Sequence, residues 1–296
     1  MKFILGIHPY SLLAYVVFLI SIACYFYGSF THNVSSVDRL WSILPVIYVW
    51  AYVYISEYSP VVVLMAMCVT LWGIRLTGNF FIRGGYKMEG GLFVHEDFRW
   101  GIMRKAIPDC ILWDMFHLFF ICLFQLYLIA GFTTPVLFVA LQESVFSWED
   151  GVFALCFIIF LVIEMVIDHE MNVFQIAKRT LSDEEKKKSN DLRFIAGFNF
   201  TGFYHYSRHP NYFCEVMQWI IIYLWGSYHL GTLKNWGLLF ASILTLLVYC
   251  STYVSEPNSV AKYPLYPEYQ KVTSRFIPWC SPHFSEFLEI VKKKQE

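Results

Sequence analysis

The segment Tyr204–Glu215 reads YHYSRHPNYFCE, and it concentrates polar chemistry directly before a long uncharged segment. Pro210 favours the first turn of a helix, and the free N–H groups of such a turn can bind anionic oxygens. Arg208 and His209 stand immediately before this turn, and the planar guanidinium of arginine pairs well with phosphate. The segment therefore predicts a site for a phosphate-bearing cofactor at a helix start. A purely structural role for Arg-His-Pro is the alternative.

The composition indicates that these residues belong to a membrane protein. Of the 296 residues, 57% are hydrophobic and only 15% are charged, a balance far from that of a soluble domain. A helix that crosses a membrane needs about 20 mostly apolar residues. We therefore predict an all-α polytopic membrane protein, a single membrane domain over residues 1–296. It has about seven transmembrane helices, near 9–30, 40–56, 60–82, 110–132, 150–171, 210–228 and 236–256.

Basic residues predict the orientation of these helices. They are concentrated in the loops 83–105 and 178–193, whereas the connections on the other side carry only Lys234. By the positive-inside rule both basic loops are cytoplasmic. Seven crossings then place the N-terminus outside or in the lumen and the C-terminus in the cytosol. The segment 134–142, which contains Pro135, is interpreted as a loop or a re-entrant segment.

Ionisable residues collect at the cytoplasmic ends of the predicted helices. Such residues are costly in a membrane and usually face a cavity or a pathway. They are Asp38, Arg39, Arg75, Glu164, Asp168, Glu215 and Glu256. Arginine can reach the interface from a lipid-facing position, but carboxylates have short side chains, so we predict one polar bowl that opens to the cytosol.

Two classes of site are not indicated by the sequence. The eight cysteines are scattered singly, without the Cys-x-x-Cys pairs that are typical of structural zinc sites. We expect no metal site and interpret the cysteines as packing residues. The net charge of −1 argues against nucleic acid as a partner.

Six blocks of the sequence resemble, in order and spacing, the steroid 5-alpha-reductase-like integral membrane family, in its branch with an RHPNY motif. The resemblance extends over about residues 35–280. The blocks are Val37–Trp41, Leu71–Leu76, Glu96–Trp100, Asp168–Gln175 with Lys178, Gly202–Glu215 with Trp219, and Tyr266–Pro278.

This resemblance implies a reductase that takes NADPH from the cytosol and transfers hydride to a carbon–carbon double bond of a steroid, sterol or other lipid. Its cofactor-binding half spans about residues 150–280, followed by a short cytosolic tail, 281–296. Arginine and histidine suit phosphates, and a carboxylate suits ribose hydroxyls. By the resemblance, the dinucleotide is held by Arg75, Asp97, Arg99, Asp168, Tyr206, Arg208, His209, Asn211, Glu215, Glu256 and Tyr269.

The sequence departs from the steroid reductases at the positions that contact the substrate. Those enzymes polarise a 3-oxo group with a Glu and a Tyr, where this chain has Ser42-Ile43 and Trp72, which cannot donate a proton in the same way. The other candidates for a proton donor are Asp38, Tyr48, Glu57, Asp114 and His117. We favour Asp38, because it begins a helix at the depth of the cofactor; an ion pair with Arg75 or Arg39 is the alternative.

Two other functions remain open. An isoprenylcysteine carboxyl methyltransferase-like enzyme, which binds S-adenosylmethionine, also has an Arg-His-Pro block, although its tail differs from the Ser255–Ala261 segment here. A non-catalytic lipid-binding membrane protein with a degenerate cofactor site would explain the missing Glu and Tyr. The oligomeric state is not indicated.

The C-terminus predicts a location. The chain ends in VKKKQE, so Lys294 and Lys293 stand third and fourth from the end, as in the dilysine signal of endoplasmic reticulum membrane proteins. Because receptors read such signals, the tail is expected to be cytosolic and mobile.

Overall fold

The computed structural model describes residues 7–294, and it consists almost entirely of helices. A two-stranded antiparallel hairpin, Met88–Glu89 (β1) with Leu92–Phe93 (β2), is the exception within this range. The α-helices are Pro9–Thr31 (α1), Ser36–Leu40 (α2), Leu44–Ile55 (α3), Pro60–Ile82 (α4), Phe98–Ala106 (α5), Cys110–Phe116 (α6), Gln125–Ala140 (α7), Trp148–Thr180 (α8), Asp183–Lys188 (α9), Leu192–Ala196 (α10), Pro210–Leu230 (α11), Trp236–Lys262 (α12), Tyr266–Val272 (α13) and Phe284–Lys293 (α14). A π-helix, His117–Phe124, joins α6 to α7, and a 3₁₀ turn, Gly202–His205, precedes α11.

Within residues 7–294, five helical stretches are long and apolar enough to cross a membrane. They are Pro9–Thr31, Pro60–Ile82, Cys110–Ala140, Trp148–Thr180 and Trp236–Lys262. This finding confirms an all-α polytopic membrane protein. Of the two remaining segments that the sequence predicts, 40–56 forms the 12-residue helix α3 and 210–228 lies in the 21-residue helix α11.

The interpretation of residues 134–142 as a loop or re-entrant segment is wrong, because α7 continues through Pro135 to Ala140. A proline inside a helix leaves the carbonyl four residues earlier without its usual N–H donor. Here that carbonyl belongs to Gly131, and the hydroxyl of Thr134 donates to it at 2.7 Å. The side chain before the proline thus replaces the missing hydrogen bond, and the helix is not interrupted.

Internal contacts divide the chain, which the sequence presented as one domain, into two compact units. Unit 1 runs up to Ile158 and includes Trp219–Leu244. In its interior, α3 packs against α4 and α7, and α1 packs against the π-helix and α7. Unit 2 comprises Ile159–Gln218 and the chain from Thr245 onward.

Unit 2 has an aromatic core at its C-terminal end. Phe198 and Phe200 pack with Tyr266, Tyr269 and Phe287. Phe287 belongs to α14, whose apolar face is buried in this cluster. The tail that was expected to be mobile is therefore helical up to Lys293 and packed on its own unit, while Gln295 and Glu296 lie outside the described residues.

Candidate cofactor site

The start of α11 is fixed to the closing block of the chain, and both segments belong to unit 2. Ser207 forms a parallel bridge with Ser274, and the backbone N–H of Arg208 donates to the carbonyl of Ser274 at 2.8 Å. The hydroxyl of Ser207 donates to the carbonyl of Phe276 at 2.8 Å. Two segments that are about 65 residues apart in sequence, Ser207–Arg208 and Thr273–Phe276, therefore form one local structure.

The buried carboxylate of Glu256 is the centre of a polar cluster in this structure. Its Oε1 accepts a hydrogen bond from Nε of Arg208 at 2.7 Å and lies 3.1 Å from Nε2 of His209. Its Oε2 accepts from Nε2 of Gln270 at 2.8 Å and lies 3.3 Å from a guanidinium nitrogen of Arg275. Three of the predicted cofactor residues, Arg208, His209 and Glu256, are thus brought together.

Most of the donors of Arg208 are used inside the protein. Besides its two contacts with Glu256, its Nη1 donates to the carbonyls of Gln270, at 3.0 Å, and Thr273. A guanidinium has five N–H donors, so these four hydrogen bonds leave little capacity for a phosphate. The geometry makes Arg208 a brace between the start of α11 and the end of α13.

Arg275 is the more accessible cation of the cluster. It contacts Glu256 through one nitrogen, keeps 25% of its side chain exposed, and lies 3.7 Å above the ring of Tyr253. Two guanidinium groups face one carboxylate, so the cluster has an excess of one positive charge if His209 is counted as neutral. Sequence reasoning recognised the closing block but did not select Arg275 from it.

Asn211 and Glu215 follow the cluster on α11. They are four residues apart, so they lie on the same face of the helix, one turn from each other. Asn211 is half-buried in the first turn, and Glu215 is buried. Asp168, on α8 in the same unit, is also buried, and neither of these two carboxylates is without a partner in the structure.

The two predicted tyrosines differ in their surroundings. Tyr269 is buried in the aromatic core, and its hydroxyl donates to the carbonyl of Tyr204. Its ring therefore has a packing role. Tyr206 is 40% exposed, and its carbonyl accepts from the N–H of Trp279 at 2.9 Å.

Tyr206 also lines a cavity of about 470 Å³ within unit 2. Its other walls are Glu170, Phe200, Thr201, Gly202, Phe203, His205, Phe284 and Leu288. Gly202 has a φ of +60°, and a Cβ at this position would lie 2.4 Å from Oε2 of Glu170. The left-handed backbone therefore favours glycine, and a larger side chain would also require the carboxylate of Glu170 to move. Burial lowers the pKa of His205, so its imidazole is neutral at pH 7.

In unit 1, Asp97 and Arg99 form one local motif. Oδ1 of Asp97 caps α5 by accepting from the N–H of Arg99 at 2.9 Å and also accepts from Nε of Arg99 at 2.8 Å. Burial raises the pKa of Asp97, but the hydrogen bonds and the charge of Arg99 outweigh burial and leave the pKa below its usual value. Arg75, half-buried on α4, belongs to the same unit.

Asp38 lies close to this motif. Its Oδ2 accepts from Nε1 of Trp100 at 2.7 Å. Burial raises the pKa of Asp38, and the charge of Arg99 offsets only part of the effect. Arg39 is buried and donates from Nε to the carbonyl of Gly85 at 3.0 Å. The structure therefore uses Arg39 to hold the loop after α4. The polar bowl that the sequence predicts, with residues of both units, stays a prediction.

Comparisons with known proteins identify relatives whose function is not described. A sequence profile of the family described as "Protein of unknown function (DUF1295)" matches residues 24–273. A protein of Schizosaccharomyces pombe, "Uncharacterized protein C594.04c", is 34% identical over 259 residues, which are 84% of this chain and 73% of the relative. No solved structure shows a significant match.

Proposed function

This chain belongs to the family described as "Protein of unknown function (DUF1295)", and we propose that it is an NADPH-dependent membrane reductase that acts on a carbon–carbon double bond of a lipid. The proposal combines the resemblance to the steroid 5-alpha-reductase-like family with the polar cluster of unit 2. NADPH would supply the hydride, and the chain would bind and orient it.

The observation that carries the proposal is the excess of positive charge around Glu256. Arg275 is partly exposed beside the buried ion pair of Arg208 and Glu256. The first turn of α11 adds the backbone N–H groups of Asn211 and Tyr212, which a helix cannot satisfy internally. A guanidinium next to such a turn suits the phosphates of a dinucleotide, so Arg275 is the phosphate contact that we propose.

The neighbouring cavity supports the same ligand class. Its volume of about 470 Å³ is within the range of small-molecule sites. Phe203 and Tyr206 offer aromatic surfaces for a base, and Glu170 offers a carboxylate for hydroxyl groups. These residue types fit a nucleotide without any change in the cluster around Glu256.

Titration of the purified protein with NADPH tests this proposal. Loss of a charged hydrogen bond costs about 1.5–3 kcal/mol, so Arg275→Ala should weaken NADPH binding roughly 10- to 100-fold. Lys271→Ala is the matched control, because Lys271 lies on α13 but is exposed and paired with Glu268 at 2.8 Å. Equal affinity of both variants would remove Arg275 from the site. Binding of S-adenosylmethionine in place of NADPH would support the methyltransferase.

The endoplasmic reticulum membrane is the location that we propose. Lys293 is the last residue of α14, and Lys294 caps that helix. With a tag at the N-terminus, changing both lysines to serine should move the protein to later secretory compartments, as seen by microscopy. A mitochondrial or plasma-membrane position of the unchanged protein would contradict the proposed address.

A further inference from the structure

Two lysines of unit 2 meet at one tyrosine. Nζ of Lys178 donates to the hydroxyl of Tyr263 at 3.1 Å and lies 4.4 Å from the centroid of its ring. Nζ of Lys262 lies 5.4 Å from the same centroid. Among the described residues, neither ammonium group forms an ion pair, whereas Arg193 and Lys271 of the same unit each pair with an acidic side chain. The three side chains therefore form a positively charged cluster.

Packing within unit 2 holds two members of this cluster in place. Nζ of Lys178 also donates to the carbonyl of Gly197, which ends α10 with a φ of +84°. The ring of Tyr263 lies so close to Gly197 that a Cβ there would be 2.9 Å from Cδ1 of the ring. The same ring packs on Phe198, with centroids 5.6 Å apart. Lys178 and Tyr263 are thus fixed before any ligand binds, and Lys262 is exposed beside them.

The cluster offers hydrogen-bond donors to a further acceptor. An ammonium group has three N–H donors, and Lys178 uses two of them for Gly197 and Tyr263. Because the hydroxyl of Tyr263 accepts from Lys178, its own proton is available to another acceptor. Burial raises the pKa of Tyr263, but the hydrogen bonds and charges of Lys178 and Lys262 outweigh burial and leave the pKa below its usual value. The local potential is therefore positive and favours an anion.

Both lysines lie at the ends of helices that are long enough to cross a membrane. Lys178 is in the last turn of α8, and Lys262 is the last residue of α12. These helices have 33 and 27 residues, so they are about 50 and 40 Å long. A bilayer with its headgroups is about 40–45 Å thick. Each helix begins with an exposed tryptophan, Trp148 or Trp236, a residue typical of the membrane interface. The lysines are therefore expected at the level of the opposite headgroups.

We infer that Lys178, Lys262 and Tyr263 bind the phosphate monoester of an anionic lipid headgroup. Such a group carries about −1.5 to −2 charges at pH 7 and three acceptor oxygens, as in phosphoserine. These match two ammonium groups and a hydroxyl, whereas a phosphate diester has a single negative charge and leaves one ammonium unbalanced. Basic pockets between transmembrane helices bind headgroups of this kind. The inference does not depend on the proposed function, because Arg275 and Glu256 are not part of this cluster.

A matched pair of lipids tests the site. The purified full-length protein in detergent is mixed with dioleoyl phosphatidic acid, a monoester, or with dioleoyl phosphatidylglycerol, a diester with the same acyl chains. Native mass spectrometry measures the bound lipid, and we expect phosphatidic acid to bind more tightly. Lys262→Gln should weaken this binding about fivefold, the contribution of one lysine near an anionic headgroup. Lys262 is chosen because it is exposed, so that the variant folds.

Lys188→Gln is the control for the change in net charge. Lys188 is an exposed lysine of α9 in the same unit, and its loss should leave the binding of phosphatidic acid unchanged. An equal loss of binding in both variants would mean attraction by net charge alone and would overturn the site. Equal affinity of the wild type for the two lipids would overturn it as well.

Inorganic phosphate and the 2′-phosphate of NADPH carry the same chemical group, so phosphate, NADPH and NADH are titrated on the same samples. Displacement of phosphatidic acid by an equal concentration of inorganic phosphate would refute a lipid as the ligand. So would weaker binding of NADPH, but not of NADH or phosphatidic acid, in Lys262→Gln, because the cluster would then serve the cofactor. If the wild type binds phosphatidic acid as expected but does not bind NADPH, the lipid site stands and the reductase proposal fails.

Discussion

Each unit contains a buried carboxylate beside a histidine, and the two clusters differ in charge and exposure. In unit 1, Asp150 is fully buried and accepts from Nε1 of Trp225 at 2.6 Å and the N–H of Ser147 at 2.8 Å, and lies 2.7 Å from Nε2 of His229. In unit 2, Glu256 faces two guanidinium groups as well as His209, and one of those groups is partly exposed. The first cluster uses polar donors and one histidine, whereas the second has a positive charge that its carboxylate does not balance.

This difference separates a structural polar cluster from a candidate binding site. A buried carboxylate is expensive to desolvate, so it needs hydrogen-bond donors around it. Asp150 shows that this fold can satisfy one with Trp225, Ser147 and His229 and without an arginine. Two arginines around Glu256 exceed that need, and an uncompensated guanidinium near the surface is useful when an anion binds. A histidine–carboxylate pair alone therefore does not identify the site.

The largest effect on stability is expected for Arg208→Ala. The change removes the guanidinium that lies closest to Glu256, and it also removes the donors to the carbonyls of Gln270 and Thr273. Breaking a buried ion pair costs about 3–5 kcal/mol, and denaturant-induced unfolding in detergent micelles should show a loss of this size. Arg179→Ala, an exposed arginine of the same unit, is the control. A loss below about 1 kcal/mol would mean that Arg208 is not the brace described above.

Asp150→Asn should give the next largest loss of unfolding free energy, about 1.5–3 kcal/mol. In the wild type the donors are divided between two charged carboxylate oxygens, whereas an amide offers them only one acceptor oxygen. As a control, Glu149→Gln at the neighbouring residue should leave the free energy of unfolding nearly unchanged. NADPH affinity of the folded Asp150→Asn protein should equal that of the wild type. If the NADPH affinity falls in Asp150→Asn but not in Arg275→Ala, then the cluster around Asp150 is the binding site and the cluster around Glu256 is structural.

The sequence predicted the long helices well, because apolar runs of about 20 residues have few alternatives to a membrane helix. It failed at Pro135, where the decisive contact is a hydroxyl of Thr134 that hydropathy does not record. The π-helix after α6 was invisible for a similar reason, since π- and α-helices have the same apolar composition. The first residue of this π-helix, His117, packs against Gly28 of α1.

The site was predicted in part. The polar segment before α11 and the closing block were found, but their contacts join residues 48 to 69 positions apart. Spacing along the chain cannot show that Arg208 spends its donors on backbone carbonyls while Arg275 remains accessible. The sequence therefore supplied a set of residues, and the division of roles among them required the structure.

A second pair of carboxylates extends the comparison and gives the smallest effect. Asp38 and Asp97 both lie near Arg99, but the pKa of Asp38 is raised by burial whereas that of Asp97 is lowered overall. A lowered folded pKa contributes stability above the unfolded value, about 3.9, and this contribution is lost as the pH falls through the folded pKa. A raised folded pKa acts in the opposite direction, because stability falls as the pH rises from the unfolded value through the folded one.

The two neutral variants should therefore change stability at pH 7 with opposite signs. Asp97→Asn should lower the free energy of unfolding by up to about 1 kcal/mol, the scale of a partly exposed ion pair. Asp38→Asn should leave it equal or raise it, because asparagine keeps an acceptor for Trp100 without the buried charge. Unfolding curves from pH 7 down to pH 2 should show the Asp38→Asn difference shrinking as the pH approaches about 3.9, whereas the Asp97→Asn difference should persist to about that pH and shrink below it, as the pH falls through the lowered folded pKa. If Asp38→Asn destabilises the protein as much as Asp97→Asn at pH 7, the Asp38 carboxylate is stabilised by its surroundings, and burial does not dominate its titration.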